Sequence, residues 1–273
     1  MKSLSILILL LLFLVADMAA QKKQLIPPGT VQINDTLFAD KLEVDNISWR
    51  EYLHYLRRFD AAEEESALPD TLVWGYDSSS FVMQQYYLRH PGFNTYPVVG
   101  ISYRQALAFC EWRTAQVNFV YYIKENKITD WENHLNDPYP IRVYYRLPTE
   151  KEWEWLAAGD KPAADYPYGI DSVYRKWKKK YTKTFNCSYP EDKPSGQKGS
   201  QIGYYTVPTR SFWINEYGLY NMIGNVAEMV QEEGIAKGGS FDHQLEDCKI
   251  KNKQPYSGPE RWLGFRCVAV LVK

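Results

Sequence analysis

The stretch that decides the fold is Tyr145 to Trp155, which reads YRLPTEKEWEW. Thr149 is followed three residues later by Glu152, which is the spacing of a capping box. In that motif the threonine hydroxyl and the glutamate carboxylate satisfy backbone amides that the first helical turn leaves unpaired. The stretch therefore predicts a helix over 150–158.

A second helix is predicted upstream, where Asp45 or Asn46 can act as the cap. The apolar residues that follow recur at intervals of three and four, so they share one helix face: Trp49, Tyr52, Leu53 and Leu56. The acidic segment 61–66 is expected to end this helix in solvent, and residues 67–97 show no clear period and are expected to be irregular.

A third amphipathic helix is expected from Tyr103 to about Ala115, capped by Ser102. The polar and aromatic stretch 116–145 is interpreted as an insertion rather than a core element. Its aromatic segment Phe119 to Tyr122 could form a partner surface or could be buried against the body of the domain.

Alternation of apolar and polar residues from Val31 to Leu42 predicts short strands. Residues 159–218 are rich in Gly, Pro, Asp, Asn and Tyr and contain no run long enough for a regular helix. A few helices, short strands and long loops together predict an α+β fold of high loop content.

The charge balance excludes two classes of partner. Lys and Arg number 32 against 33 for Asp and Glu, so the chain lacks the basic excess that binds nucleic acid or an anionic membrane. The length allows one or two domains.

The first twenty residues have the layout of a secretory signal peptide. Lys2 precedes an apolar run from Leu4 to Ala16, and small residues follow at Ala19 and Ala20. The run is about a dozen residues, whereas a membrane-spanning helix needs roughly 20. We therefore expect export to the periplasm or cell surface, with membrane association only through a partner or an uncleaved signal.

Four cysteines are present, namely Cys110, Cys187, Cys248 and Cys267. An even number in an exported chain permits pairing, and the sequence alone allows three connectivities. None has the Cys-x-x-Cys spacing of a zinc or thioredoxin-type site.

Several segments in the same order resemble the formylglycine-generating-enzyme (sulfatase-modifying factor) superfamily. They are Ile101 to Trp112, Tyr145 to Glu154, Asn215 to Met222, Gly224 to Glu228, Lys237 to Phe241 and Gly264 to Cys267. The resemblance implies a variant of the C-type-lectin fold, occupying residues 21–273 as one domain. In that setting Arg146 and Arg266 can fork to carboxylates or carbonyls that tie loops together.

Catalytic members of that family oxidise a sulfatase cysteine to formylglycine with Cu(I) held between two thiolates, since soft copper prefers soft sulfur. Carried over to this sequence, the first thiol position falls on His243 and the second on Cys248. Only one sulfur remains, so the resemblance implies a copper site altered to His/Cys or lost.

The resemblance also implies a disulfide between Cys110 and Cys267, which match paired positions in the family. The remaining two cysteines, Cys187 and Cys248, are then predicted to pair with each other.

Calcium is a further expectation from the resemblance. Asn225, Glu228, the Val230 carbonyl and Glu232 match a family loop whose oxygens bind Ca²⁺, as a hard cation requires. Its role would be structural.

The leading functional hypothesis is a non-catalytic binding or assembly module with a protein partner, using the face around His243 to Trp262. By analogy, such a module could serve in a secretion or gliding machinery. The alternative is a copper-dependent oxidoreductase that converts a protein cysteine to formylglycine through the His/Cys site. A non-haem iron role has little support with four histidines and no His-x-x-x-His cluster, and a hydrolase role has little because no Gly-x-Ser-x-Gly motif occurs.

Overall fold

A computed structural model describes residues 25–75, 80–161, 164–169, 174–177, 180–183, 185–187 and 205–272. The predicted signal peptide, residues 1–20, lies outside the described residues. Within these ranges the chain folds as a mixture of helices and short strands joined by long loops, which confirms the α+β prediction.

The first sheet joins the two ends of the domain. It has four antiparallel strands in the order β1–β2–β10–β3. Their bounds are β1 Thr30–Gln32, β2 Leu37–Asp40, β3 Val143–Arg146 and β10 Val268–Leu271. All four residues of β2 are buried because this strand lies inside the sheet and under the helices.

Helix α1 spans Asn46–Phe59 and begins where the sequence predicts, with the Asp45 side chain accepting the Ser48 backbone N–H. Its predicted apolar face is buried. The segment Ala61–Ser66 was expected only to end this helix in solvent, and that prediction needs correction because it forms a separate short helix, α2. Its Glu64 pairs with Arg57 of α1 across the break.

The stretch 67–97, predicted to be irregular, contains the short helix α3, Phe81–Tyr86, between 3-10 turns at Thr71–Trp74 and Pro91–Phe93. A six-residue helix is too short to produce a recognisable period. Packing holds the segment in place, with the rings of Trp74 and Tyr87 centred 4.7 Å apart.

Helix α4 spans Tyr103–Glu125 and continues ten residues beyond the predicted end. The interpretation of 116–145 as an insertion outside the core is therefore wrong at both ends, since 116–125 is helical and 143–146 is strand β3. Asn118 explains the error. Its buried amide donates to the Val143 carbonyl at 2.8 Å and its oxygen accepts the Arg142 N–H at 2.7 Å, so a polar residue fastens the helix to the sheet.

Helix α5 spans Glu150–Ala158 and has both bonds of the predicted capping box. Arg146 donates to the two carboxylate oxygens of Glu152 at 2.6 and 2.8 Å, which ties β3 to the cap as expected from the sequence. Gly159 ends the helix with a positive φ of 61°.

The rest of the chain forms a hairpin and a second sheet. The hairpin pairs β4 Tyr174–Trp177 with β5 Lys180–Lys183. The second sheet has the order β8–β7–β6–β9, with β6 and β9 parallel. Its strands are β6 Ala227–Met229, β7 Ile235–Lys237, β8 Gln254–Pro255 and β9 Leu263–Gly264. Over the described ranges, we find no helix with the length and apolar character needed to span a membrane.

Candidate functional site

The loop that leaves β7 carries the candidate catalytic positions, and two glycines shape it. Gly238 and Gly239 have positive φ of 89° and 65°. A Cβ on Gly239 would lie 2.4 Å from Cys248 Sγ, and one on Gly238 would lie 2.9 Å from the Trp153 ring. Glycine is needed at both positions because the backbone turns left-handed in direct contact with a thiol and an indole.

His243 is held inside this loop. Its Nδ1 lies 2.7 Å from Ser240 Oγ, and its ring meets Trp262 edge-on with centroids 4.8 Å apart. Ser240 Oγ accepts the Asp242 N–H at 3.0 Å and is left to donate its own hydrogen to Nδ1. Burial lowers the pKa of His243, which favours the neutral ring with its proton on Nε2.

Cys248 is fully buried, and its side chain contacts groups other than His243. Its Sγ–H donates to the Gln244 carbonyl at 3.4 Å, and the thiol also hydrogen-bonds with Cys187. The contact with Cys187 and burial raise the pKa of the Cys248 thiol well above its usual range. A protonated, enclosed thiol is a poor nucleophile and a poor metal ligand.

The two positions that the sequence singled out for copper are thus neighbours in one loop, but no contact between their side chains is found in the described chain. His243 is bound to Ser240, and Cys248 is bound to Cys187 and Gln244. As arranged, the His243/Cys248 pair does not fit a copper ion, and we derive no chemistry through one.

The cysteines are brought together in the two predicted pairs. Cys110 Sγ and Cys267 Sγ lie 3.6 Å apart between α4 and β10, and Cys187 meets Cys248 in a separate apolar cluster. The structure holds all four as buried thiols. Formation of the two disulfides remains a prediction.

The three side chains expected to bind calcium each have protein partners. Asn225 Oδ1 accepts the Val207 N–H at 2.8 Å, both Glu228 oxygens are taken by Arg266, and Glu232 accepts the Glu150 N–H at 2.8 Å. Among the described residues, no group of three or more His, Cys, Asp or Glu side chains is arranged to hold a metal. Calcium binding stays a prediction from the resemblance, and the present arrangement of these four residues does not fit it.

The strongest electrostatic feature of the region is a buried acid that sequence reasoning missed. Glu43 lies between β2 and α1, 2% exposed, and accepts N–H bonds from Asn221 at 2.9 Å and Asn225 at 2.8 Å. Burial raises the pKa of Glu43 to about 8, although the nearby Arg266 opposes the shift. The one sequence signal was an acid whose two direct neighbours, Leu42 and Val44, are both apolar.

Lys237, directly before the two glycines, is also enclosed. Its side chain has no exposed surface, and its ammonium contacts Glu150 at 3.3 Å and Glu154 at 3.0 Å on α5. These bonds fix the start of the loop against the helix that the capping box begins.

A family model described as a sulfatase-modifying factor enzyme 1-like domain matches residues 13–271. The Bos taurus protein named inactive C-alpha-formylglycine-generating enzyme 2 is 26% identical over 191 residues, covering 64% of this chain and 50% of that protein. The formylglycine-generating enzyme of Thermomonospora curvata is 35% identical over 112 residues, covering 38% of this chain and 35% of that enzyme. The chain thus spans half or less of the length of these two relatives.

Among solved structures, one titled CarF aligns with a TM-score of 0.52 at 18% identity, covering 90% of this chain and 96% of CarF. At this identity the similarity shows the fold alone. It agrees with the fold expected from the sequence motifs.

Proposed function

We propose that this chain, which belongs to the sulfatase-modifying factor enzyme 1-like family, is an exported, non-catalytic binding or assembly module. The observation that carries the proposal is the state of Cys248. Its thiol is fully buried and engaged by Cys187, while His243 occupies the position where the family's other catalytic thiol would be.

Oxidation of a substrate cysteine at a copper–thiolate centre requires sulfur that is deprotonated and accessible. Here the Cys248 sulfur is fully buried and engaged by Cys187 and the Gln244 carbonyl, which argues against access by a substrate cysteine. A relative whose name declares it inactive is consistent with loss of this chemistry in part of the family.

Export is supported by two independent features. The first twenty residues have the composition of a signal peptide. The four cysteines also lie in two contacting pairs, an arrangement suited to an oxidising compartment such as the periplasm or cell surface.

The partner surface in this proposal is the face around His243 to Trp262. Leu245, Cys248 and Ile250 anchor the segment from inside, while charged and amide side chains between them point outward, namely Gln244, Glu246, Asp247, Lys251, Asn252 and Lys253. Arg261 pairs with Asp242 across the segment, which fixes its two ends relative to each other. A fixed scaffold with exposed polar side chains suits recognition of a protein, for example within a secretion or gliding assembly.

A Cu(I) titration of the purified protein, run alongside a thiol titration in denaturant, tests the proposal. We expect no stoichiometric copper binding and no titratable thiol before reduction. Tight binding that disappears in Cys248→Ser, but not in the matched variant Cys110→Ser, would overturn it in favour of a copper-dependent oxidoreductase. Circular dichroism of each variant establishes that the fold is intact.

A further inference from the structure

Two cavities lie side by side between α1 and α4, away from the 237–248 loop. One has a volume of about 290 Å³ and is lined by α1, α4 and the segment 131–139. The other has a volume of about 310 Å³ and is lined by α4 and by residues leading into α1. They share Glu51, Trp112 and Gln116 and are therefore adjacent, and the two together are called here the α1–α4 cleft.

The first cavity has an aromatic wall that is already assembled. Six rings line it: Tyr55, Phe59, Trp112, Phe119, Trp131 and Tyr139. Tyr55 packs against Phe59 with centroids 4.8 Å apart and against Trp112 at 6.2 Å. Rings that hold one another in place lose little conformational entropy when a ligand arrives.

Three polar groups stand where the cavities meet. Glu51 is exposed, and no basic side chain pairs with it in the described chain. Trp112 Nε1–H is shielded from bulk solvent without an acceptor among the described residues. The Gln116 carboxamide likewise makes no side-chain hydrogen bond there. The junction therefore offers an acceptor in the Glu51 carboxylate, a donor in the Trp112 indole, and both functions in the Gln116 carboxamide.

Two cationic side chains at the cleft are neutralised within the protein, whereas Glu51 is not paired within the described ranges. The Arg58 guanidinium is bound to Glu132 at 2.7 Å and lies over the Trp131 ring, 5.6 Å from its centroid. In the second cavity, Arg113 binds both oxygens of Asp40 at 2.6 and 2.8 Å.

This pattern favours a ligand that carries both a donor and an acceptor. An anion would be repelled by Glu51, whereas a simple cation would be attracted by Glu51 and the aromatic rings but would leave the shielded Trp112 N–H without an acceptor. A hydroxyl group suits the site because it can donate to Glu51 and accept from Trp112 at once. The C–H faces of a sugar ring, which carry partial positive charge, complement the negative faces of aromatic rings.

We propose that the α1–α4 cleft binds a neutral saccharide, with Glu51, Trp112 and Gln116 contacting its hydroxyls and the Tyr55 and Trp131 side of the cleft stacking on its ring. Each cavity is close to the lower end of the roughly 300–1,000 Å³ typical of small-molecule sites. The inference uses none of the residues on which the non-catalytic assignment depends and stands independently of it.

Isothermal titration of the purified protein with glucose, galactose, mannose, N-acetylglucosamine and their disaccharides tests this. Tetramethylammonium and phosphate serve as cationic and anionic probes. We expect at least one neutral sugar to bind saturably and more tightly than either charged probe. Absence of binding by every sugar, or saturable binding of tetramethylammonium alone, would overturn the proposal.

Variants locate the binding. Glu51→Gln and Trp131→Ala should each lower the affinity for the sugar at least tenfold. Two matched variants should leave it unchanged: Glu111→Gln, an exposed acid on α4 outside both cavities, and Trp155→Ala, an exposed tryptophan on α5. Gln116→Ala provides a further test if Trp131→Ala alters the local fold, and equal binding by the cleft variants and the matched ones would overturn the assignment.

Discussion

Arg266 Nη2 and Nε contact the two carboxylate oxygens of Glu228 at 2.5 and 2.6 Å, and both side chains are removed from solvent. The Trp153 indole donates to the same carboxylate at 2.8 Å. Arg266 also donates to the Tyr220 carbonyl at 2.7 Å, so this one pair joins the second sheet, helix α5 and the loop before β6. The resemblance assigned Glu228 to calcium, and in the structure its counter-ion is a guanidinium.

Glu228→Gln should therefore destabilise the protein by about 3–5 kcal/mol, because it leaves a buried guanidinium without its counter-charge. Urea unfolding gives the measurement. Glu125→Gln is the matched control, since Glu125 pairs with Arg142 at the surface, and it should cost less than about 1 kcal/mol. Equal losses would show that the buried pair has no special role.

Removal of calcium should leave the unfolding midpoint unchanged, because the Asn225, Glu228 and Glu232 side chains assigned to it have partners within the protein. Thermal unfolding with excess chelator and with millimolar Ca²⁺ provides the comparison. A midpoint that rises with Ca²⁺ would show that the ion displaces Arg266 or the donors to Asn225.

Stability should decrease as the pH rises from about 5 to 8 because of Glu43. Burial raises the pKa of this carboxyl from its ordinary value of 4.5 to about 8. Between those values the folded protein keeps a proton that the unfolded chain releases, so the contribution is complete below the lower pKa and lost on approaching the upper one. The unfolding midpoint of Glu43→Gln should vary less with pH over this range, whereas Glu111→Gln should keep the wild-type slope.

Gly239→Ala should destabilise the fold by about 1–3 kcal/mol through overpacking and the left-handed backbone. The new Cβ would meet Cys248 Sγ at 2.4 Å. Gly258→Ala is the matched control, since a Cβ there has no neighbour within 4 Å. A double variant that combines Gly239→Ala with Cys248→Ala should recover part of the lost stability. Absence of any recovery would contradict the contact between the new Cβ and the Cys248 thiol.

Oxidation should form the two disulfides within these pairs, since Cys110 Sγ and Cys267 Sγ already lie 3.6 Å apart and Cys187 contacts Cys248. Peptide mapping under non-reducing conditions identifies the partners. On the loop-entropy account, reduction of the 110–267 bridge lowers the free energy of unfolding by about 4–5 kcal/mol. In Cys267→Ser, which cannot form this bridge, reductant should no longer cause that loss. A bridge between members of different pairs would contradict the arrangement.

The sequence was most informative where local chemistry decides the structure. The capping box at Thr149 and the cap at Asp45 predicted the starts of α5 and α1, because a cap depends only on residues close together in the sequence. The end of α4 was missed, since the residues that hold its second half to β3 are polar. Thr114 and Asn118 are buried and bonded to strand β3, which conceals the apolar period.

The candidate site was predictable only in part for a similar reason. Motif order identified His243 and Cys248, but the partner of each depends on loops that are distant in sequence. The contact of Cys187 with Cys248 and the burial of Glu43 against Asn221 arise from tertiary packing, which has no local pattern.

The most direct test of the non-catalytic assignment is incubation of the purified protein with a sulfatase-type cysteine peptide, copper, oxygen and reductant, followed by mass spectrometry. The account predicts that the cysteine stays unconverted, as it would with Cys248→Ser. Copper-dependent formation of formylglycine that is abolished in Cys248→Ser would contradict it.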